Sequence, residues 1–86
     1  MKTSIEVSYY PLTADYLAPI GEFIERLNQY PKIEVRTSGM STQVFGEFDE
    51  VMQALSQEIK SAFALPHSVF TLKVINADLR EIPKAQ

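Results

Sequence analysis

Polar and apolar positions alternate along the chain with two different periods. Residues 3–10 alternate every second position. Ile5, Val7 and Tyr9 fall on one side and Glu6, Ser8 and Tyr10 on the other, the signature of a half-buried strand. Pro11 has no N–H to give to a ladder and ends it. Over residues 16–29 the spacing becomes helical: Ile20, Phe23, Ile24 and Leu27 form an apolar stripe, extended by Tyr16 and Leu17, with Glu22, Glu25 and Arg26 outside. Asp15 is placed to cap this helix, Pro19 is tolerated near its first turn, and Pro31 stops it. Residues 32–38 alternate again, with Ile33, Val35 and Thr37 against Glu34, Arg36 and Ser38. A short Ser38-Gly39-Met40 connection leads into a third strand at 41–47, so the two read as a hairpin. Gly46 in that strand signals a bulge or a close backbone approach. A second helix spans 49–64 on Val51, Met52, Leu55, Ile59, Ala62 and Phe63. Asp49 caps it or lies in its first turn with Glu50, at the positive end of the dipole. A fourth strand at 68–76 turns Phe70, Leu72 and Val74 one way and Val69, Thr71, Lys73 and Ile75 the other. From Asp78 the tail is polar and expected to fray, with Leu79 and Ile82 as candidates to dock.

The order β-α-β-β-α-β is the split βαβ, or ferredoxin-like, plan of the α+β class. Right-handed crossovers put both helices on one face of a four-stranded antiparallel sheet, with the first and third strands central. The opposite face is expected to be open and to carry Glu6, Ser8, Tyr10, Arg36, Ser38, Gln43, Phe45, Thr71 and Lys73. That mixture is apolar enough in places to pair with the sheet of a second copy.

With 86 residues the chain makes one domain over 1–86, its core spanning about 3–77 and its polar tail 78–86. A chain of this size buries roughly 60–65% of its unfolded surface, so self-association would help it. The composition, 45% hydrophobic and 22% charged, is that of a soluble globular protein. No apolar run approaches the ~20 residues needed to cross a bilayer, and Met1–Glu6 lacks a secretory signal's apolar stretch. A cytoplasmic location is therefore expected. The formal charge is −3 and the lysines and arginines are scattered, so no basic stripe exists to neutralise phosphates and nucleic acid is a poor partner. A cationic small molecule suits this charge better.

The absence of cysteine rules out disulfides and thiolate metal sites, and a single histidine, His67, makes a transition-metal site improbable. No Cys-x-x-Cys follows the first strand, no RNA-recognition signature lies on the third, and no arginine and glycine cradle for an acyl phosphate lies in the first loop. A hydrolase or lyase built on Glu47, Asp49 or His67 would need a nucleophile and base within hydrogen-bond reach. No catalytic or metal-ligating residue is assigned.

Two tokens remain. One is Ser8-x-Tyr10-Pro11-x-Thr13-x-Asp15-Tyr16. The other is Ser41-Thr42-x-x-x-Gly46, preceded by Thr37-Ser38 and Met40 and followed by Asp49-Glu50-Val51. In this order and on this frame, over about residues 4–77, they resemble the YkoF-related family of thiamine- and hydroxymethylpyrimidine-binding proteins. The resemblance implies a non-catalytic binder of thiamine or its pyrimidine precursor, with the vitamin as ligand rather than cofactor. Some members carry two such domains in tandem; one domain here implies a homodimer or tetramer, through a sheet face or edge. Thiamine pairs a permanently charged thiazolium with a flat aminopyrimidine. Tyr10 would stack on a ring or meet the cation. Asp15 or Glu47 would offset the charge, and Ser8, Thr13, Ser38, Ser41 and Thr42 would address ring nitrogens and the amine. Each has a plainer alternative: Tyr10 as an interface aromatic, Asp15 as a helix cap, Ser41 and Thr42 as hairpin hydroxyls. The rival reading of the whole chain is a dimerisation module without a ligand.

Overall fold

The computed structural model describes residues 1–81. Its elements run β1 (Lys2–Pro11), α1 (Leu17–Leu27), β2 (Glu34–Thr37), β3 (Thr42–Glu47), α2 (Phe48–Ala62) and β4 (Ser68–Ile75), closed by a 3₁₀ turn at Leu79–Glu81. The expected ferredoxin-like plan is therefore present: one antiparallel four-stranded sheet in the order β2-β3-β1-β4, with β3 and β1 central. Among the described residues no helix is long and apolar enough to cross a membrane.

The alternation predicted for β1 sets the core. Ile5, Val7 and Tyr9 are buried on the helix side with Val44 of β3, Phe23 and Leu27 of α1, and Val51, Ala54 and Leu55 of α2. Each large side chain fully withdrawn from water contributes about 1.5–3 kcal/mol. Tyr9 and Phe70 stack with ring centroids 4.3 Å apart, and Phe23 closes edge-on at 5.5 Å from Tyr9. Across the two helices Glu58 gathers Arg26 Nε (2.6 Å) and the Tyr30 hydroxyl (2.7 Å), so its nearly buried carboxylate is paired.

The structure decides the boundaries and caps the sequence left open, and corrects one of them. Pro11 is the last residue of β1 and still sits opposite Ser68. This is possible because the Leu12 N–H, rather than one on Pro11, donates to the His67 carbonyl. Asp15 does not cap α1: the N-cap is Tyr16, with no side-chain hydrogen bond, and Asp15 is exposed. Asp49 lies in the first turn of α2 with Glu50, after an N-cap at Glu47. Gly46 is a close approach. A Cβ there would lie 3.2 Å from the Lys32 carbonyl oxygen and 3.2 Å from Val51 Cγ2.

The far sheet face is only partly open. Phe45 lies on it, opposite Ser4, yet is 3% exposed. The chain after β4 folds back over this end instead of fraying at Asp78. The Ser4 hydroxyl donates to the Ala77 carbonyl (2.7 Å) and accepts the Leu79 N–H (2.9 Å). The Arg80 guanidinium reaches the Phe45 ring (5.6 Å to its centroid) and pairs with Glu34 and Asp78, while Arg36 meets the same ring at 5.3 Å. Leu79 is held through its N–H while its side chain stays 39% exposed; Ile82 lies outside the described residues.

Candidate functional site

β1 builds the site because alternate residues of a central strand share one face, flanked by neighbours on both sides. On the face away from the helices the register sets Glu6 between Gln43 of β3 and Lys73 of β4. Ser8 lies beside Thr71, and Tyr10 beside Val69. A trough of about 530 Å³ runs along this end of the face, lined by Glu6, Ser8, Tyr10, Met40, Ser41 and Lys73 among others. A second hollow of about 500 Å³ continues it toward Arg36, Phe45 and Leu79, sharing Glu6 and Lys73 as its boundary.

Glu6 is the centre of this arrangement. The Ser41 hydroxyl donates to its carboxylate at 2.9 Å, and Lys73 Nζ stands 3.7 Å from its other oxygen. That ammonium is 87% exposed, so the pair contributes little, on the scale of ~0–1 kcal/mol for solvated ion pairs. Tyr10 is 53% exposed, an aromatic ring left half open among the described residues.

The structure gathers five of the eight expected binding residues at the hairpin end of the sheet and places the other three elsewhere. Ser8, Tyr10 and Ser41 line the trough, and with Ser38 and Thr42 they also line an adjoining cavity of about 210 Å³ between the hairpin and α1. Ser38 stands beside them, but its hydroxyl is spent on the hairpin turn, accepting the N–H groups of Met40 (3.1 Å) and Ser41 (3.3 Å). Thr42 is buried and points to the helix side, its Oγ1 3.4 Å from that of Thr37. Thr13 and Asp15 line a different cleft of about 370 Å³, between the start of α1 and the end of α2, with Glu22, Arg26 and Ser61. Glu47 is at the far end of β3, held by the N-terminal ammonium (2.9 Å) and Lys2 (3.2 Å). The hydrogen bond from that ammonium, then the one from Lys2, holds the Glu47 carboxyl below the usual carboxylate range.

The carboxylate that does share the trough with Ser8, Tyr10 and Ser41 is Glu6. The sequence reading put it on this face but gave it no binding role. Its signal was simple: it is the one acidic residue at the Ser8–Tyr10 parity of β1. At the other end of the face the ions are self-paired. Hydrogen bonds from Arg36 and then Arg80 lower the Glu34 carboxyl, and those from Arg80 hold Asp78 well below its ordinary range. His67 is exposed in a left-handed turn (φ 62°), its carbonyl fixing the end of β1. Among the described residues no group of three or more His, Asp or Glu is placed to hold a metal ion.

Comparison with known proteins agrees with this frame. The sequence profile of the YkoF-related family matches residues 2–76, the whole sheet and both helices. The chain belongs to the YkoF-related family. A Streptococcus pneumoniae protein of solved structure resembles this YkoF-related chain at 26% identity, over 95% of this chain and 93% of its own, with a TM-score of 0.81. A hypothetical protein of Methanocaldococcus jannascii is also 26% identical, over 93% of this chain and 84% of its own, at TM-score 0.78. A Thermotoga maritima protein provisionally assigned to thiamine biosynthesis or salvage shares the fold at 19% identity. It spans 86% of this chain and 82% of its own, at TM-score 0.77. No curated protein matches the sequence.

Proposed function

We propose that this YkoF-related chain is a non-catalytic, cytoplasmic protein that binds thiamine or its hydroxymethylpyrimidine precursor and works as a homo-oligomer. The observation that carries the reading is the trough itself. A carboxylate (Glu6), two hydroxyl side chains (Ser8, Ser41) and an exposed aromatic ring (Tyr10) share one cavity on a rigid central strand. Thiazolium carries a fixed positive charge, which Glu6 would offset once Lys73 moves aside. Tyr10 offers a ring face to the cation or the pyrimidine, an interaction of about 0.5–2 kcal/mol. Ser8 and Ser41 supply small donors and acceptors for ring nitrogens and the exocyclic amine. The thiamine assignment given to the Thermotoga maritima protein supports the same ligand class.

Calorimetry with thiamine and with hydroxymethylpyrimidine tests the proposal, using the wild type and Glu6→Gln. The variant is expected to weaken thiamine at least tenfold, which corresponds to about 1.4 kcal/mol, and the uncharged pyrimidine much less. The absence of both binding heat and a thermal shift at millimolar ligand would sink the ligand reading. A second reading, a dimerisation module without a ligand, is favoured by one observation: β4 leaves Val69, Leu72, Val74 and Ile75 each 41–51% exposed.

A further inference from the structure

We propose that the second hollow on the open sheet face takes a phosphate group, so that the form of the vitamin this site prefers is thiamine monophosphate rather than free thiamine. This rests on the thiamine reading above and names the form of that ligand. The strand registers set Arg36 beside Gln43, Gln43 beside Glu6, and Glu6 beside Lys73, one polar row across all four strands. That row holds one carboxylate and has a cation at each end. Both hollows include Glu6 and Lys73, but only the second reaches Arg36. Beyond the row its walls are largely apolar, formed by Phe45, Ile75 and Leu79, so recognition of charge there falls to the row itself. The cations of this end differ in what they already hold. Arg80 commits its whole guanidinium to Asp78 and Glu34. Arg36 gives only its Nε, to Glu34, and its two Nη groups have no hydrogen-bond partner among the described residues. Lys73 is solvent-exposed, with Glu6 at 3.7 Å as its one ion pair among the described residues. Glu34 and Asp78, the other carboxylates nearby, are already neutralised by Arg36 and Arg80.

The order of groups along the face matches the order of charges in the ligand. Thiazolium carries the pyrimidine on its ring nitrogen and the hydroxyethyl group on a carbon across the ring, so the two substituents diverge. With the thiazolium on Glu6 and the pyrimidine toward Ser8 and Tyr10, the hydroxyethyl group leads into the second hollow, toward the row of Phe45, Ser4 and Ile75. Successive rows on one face are roughly 6.6–6.8 Å apart, within reach of a long Arg or Lys side chain from the row behind. A phosphate monoester placed there carries about −1.5 to −2 charges at pH 7. The thiazolium takes the place of Lys73 on Glu6, and the phosphate gives the displaced ammonium a new partner. Arg36 adds its planar pair of Nη donors, a geometry suited to phosphate oxygens. Free thiamine displaces Lys73 and offers it nothing. One charge-assisted hydrogen bond gained in this way corresponds to roughly tenfold or more in affinity.

Calorimetry with thiamine, thiamine monophosphate, hydroxymethylpyrimidine and hydroxymethylpyrimidine phosphate tests this. The wild type is expected to bind thiamine monophosphate roughly tenfold tighter than thiamine. Lys73→Gln and Arg36→Gln are each expected to bring that ratio to within about threefold of one. Lys73→Gln should at the same time tighten thiamine itself, because Glu6 loses its competing ammonium, and a general loss of structure would not produce that opposite change. Hydroxymethylpyrimidine phosphate, whose phosphate would fall on Glu6 where the thiazolium belongs, is expected to bind more weakly than hydroxymethylpyrimidine. Amide chemical shifts of the wild type read the location without any substitution: thiamine monophosphate should move Phe45 and Leu79 further than thiamine does. Equal or weaker binding of thiamine monophosphate, a preference that survives both substitutions, or no added shift at Phe45 and Leu79 overturns the proposal and leaves the thiamine reading intact. If neither thiamine nor hydroxymethylpyrimidine binds, the thiamine reading fails and this inference fails with it.

Discussion

Ser4→Ala should release the segment that covers Phe45. Ser4 is 5% exposed, and its side chain is bonded to both ends of the fold-back, donating to the Ala77 carbonyl at 2.7 Å and accepting the Leu79 N–H at 2.9 Å. Each such neutral bond contributes about 0.5–1.5 kcal/mol net. Alanine also leaves one donor and one acceptor without a partner where water has poor access. The segment has an escape, however. Lifting off rehydrates both groups, so the loss cannot exceed the free energy of docking. Arg80, held by Glu34 and Asp78, supplies only solvated ion pairs in compensation. A loss of about 1–2 kcal/mol in docking follows, a factor of roughly 5–30 in the lifted population. Hydrogen exchange at the Leu79 amide reads this directly: its protection should fall by that factor while amides of β1 and α2 hold theirs. Urea unfolding should show a shift no larger than the docking loss. Wild-type protection at Leu79 in the variant would refute the reasoning, since Phe45 would then be covered without the latch.

Gly46→Ala should destabilise by about 1–3 kcal/mol in urea unfolding, because its Cβ meets the Lys32 carbonyl and Val51 at 3.2 Å each in a packed core; an unchanged midpoint would show that α2 can yield. Acid should weaken the fold through Glu34, Asp78 and Glu47, whose carboxyls all titrate lower in the folded protein than their ordinary values of 4.5, 3.8 and 4.5. Depressed carboxyls stabilise the folded state above those values, and the contribution is lost as pH falls through and below them. The urea midpoint should therefore drop between about pH 5 and pH 2. The drop should be smaller in Glu34→Gln and in high salt, which screens exposed pairs.

Period alone determined the elements, because strand alternation and helical spacing are local properties of a few neighbouring residues. The split β-α-β-β-α-β order followed from their succession, and strand parity correctly placed Glu6, Ser8 and Tyr10 on one face. Gly46 was legible as a close approach since no other residue lacks a Cβ. Long-range contacts were not legible. Phe45 read as an exposed face residue, yet Arg36 and Arg80 lie over its ring, and Arg80 is brought there by a fold-back that Ser4 latches at Ala77 and Leu79, more than seventy positions away. Asp15 had the right side chain for a cap, yet the helix starts one residue later and the carboxylate turns to another cleft. Parity put Glu6 beside Ser8 and Tyr10, but it could not say which acid, Glu6 or Glu47, would be tied up elsewhere. Tertiary structure separated them, by giving Glu47 to the N-terminal ammonium and setting Glu6 between Ser41 and Lys73 on the trough. The exposure of β4 likewise depends on where the helices come to rest across the sheet. Side-chain patterning chooses which face of a strand is apolar; only packing decides whether that face is covered.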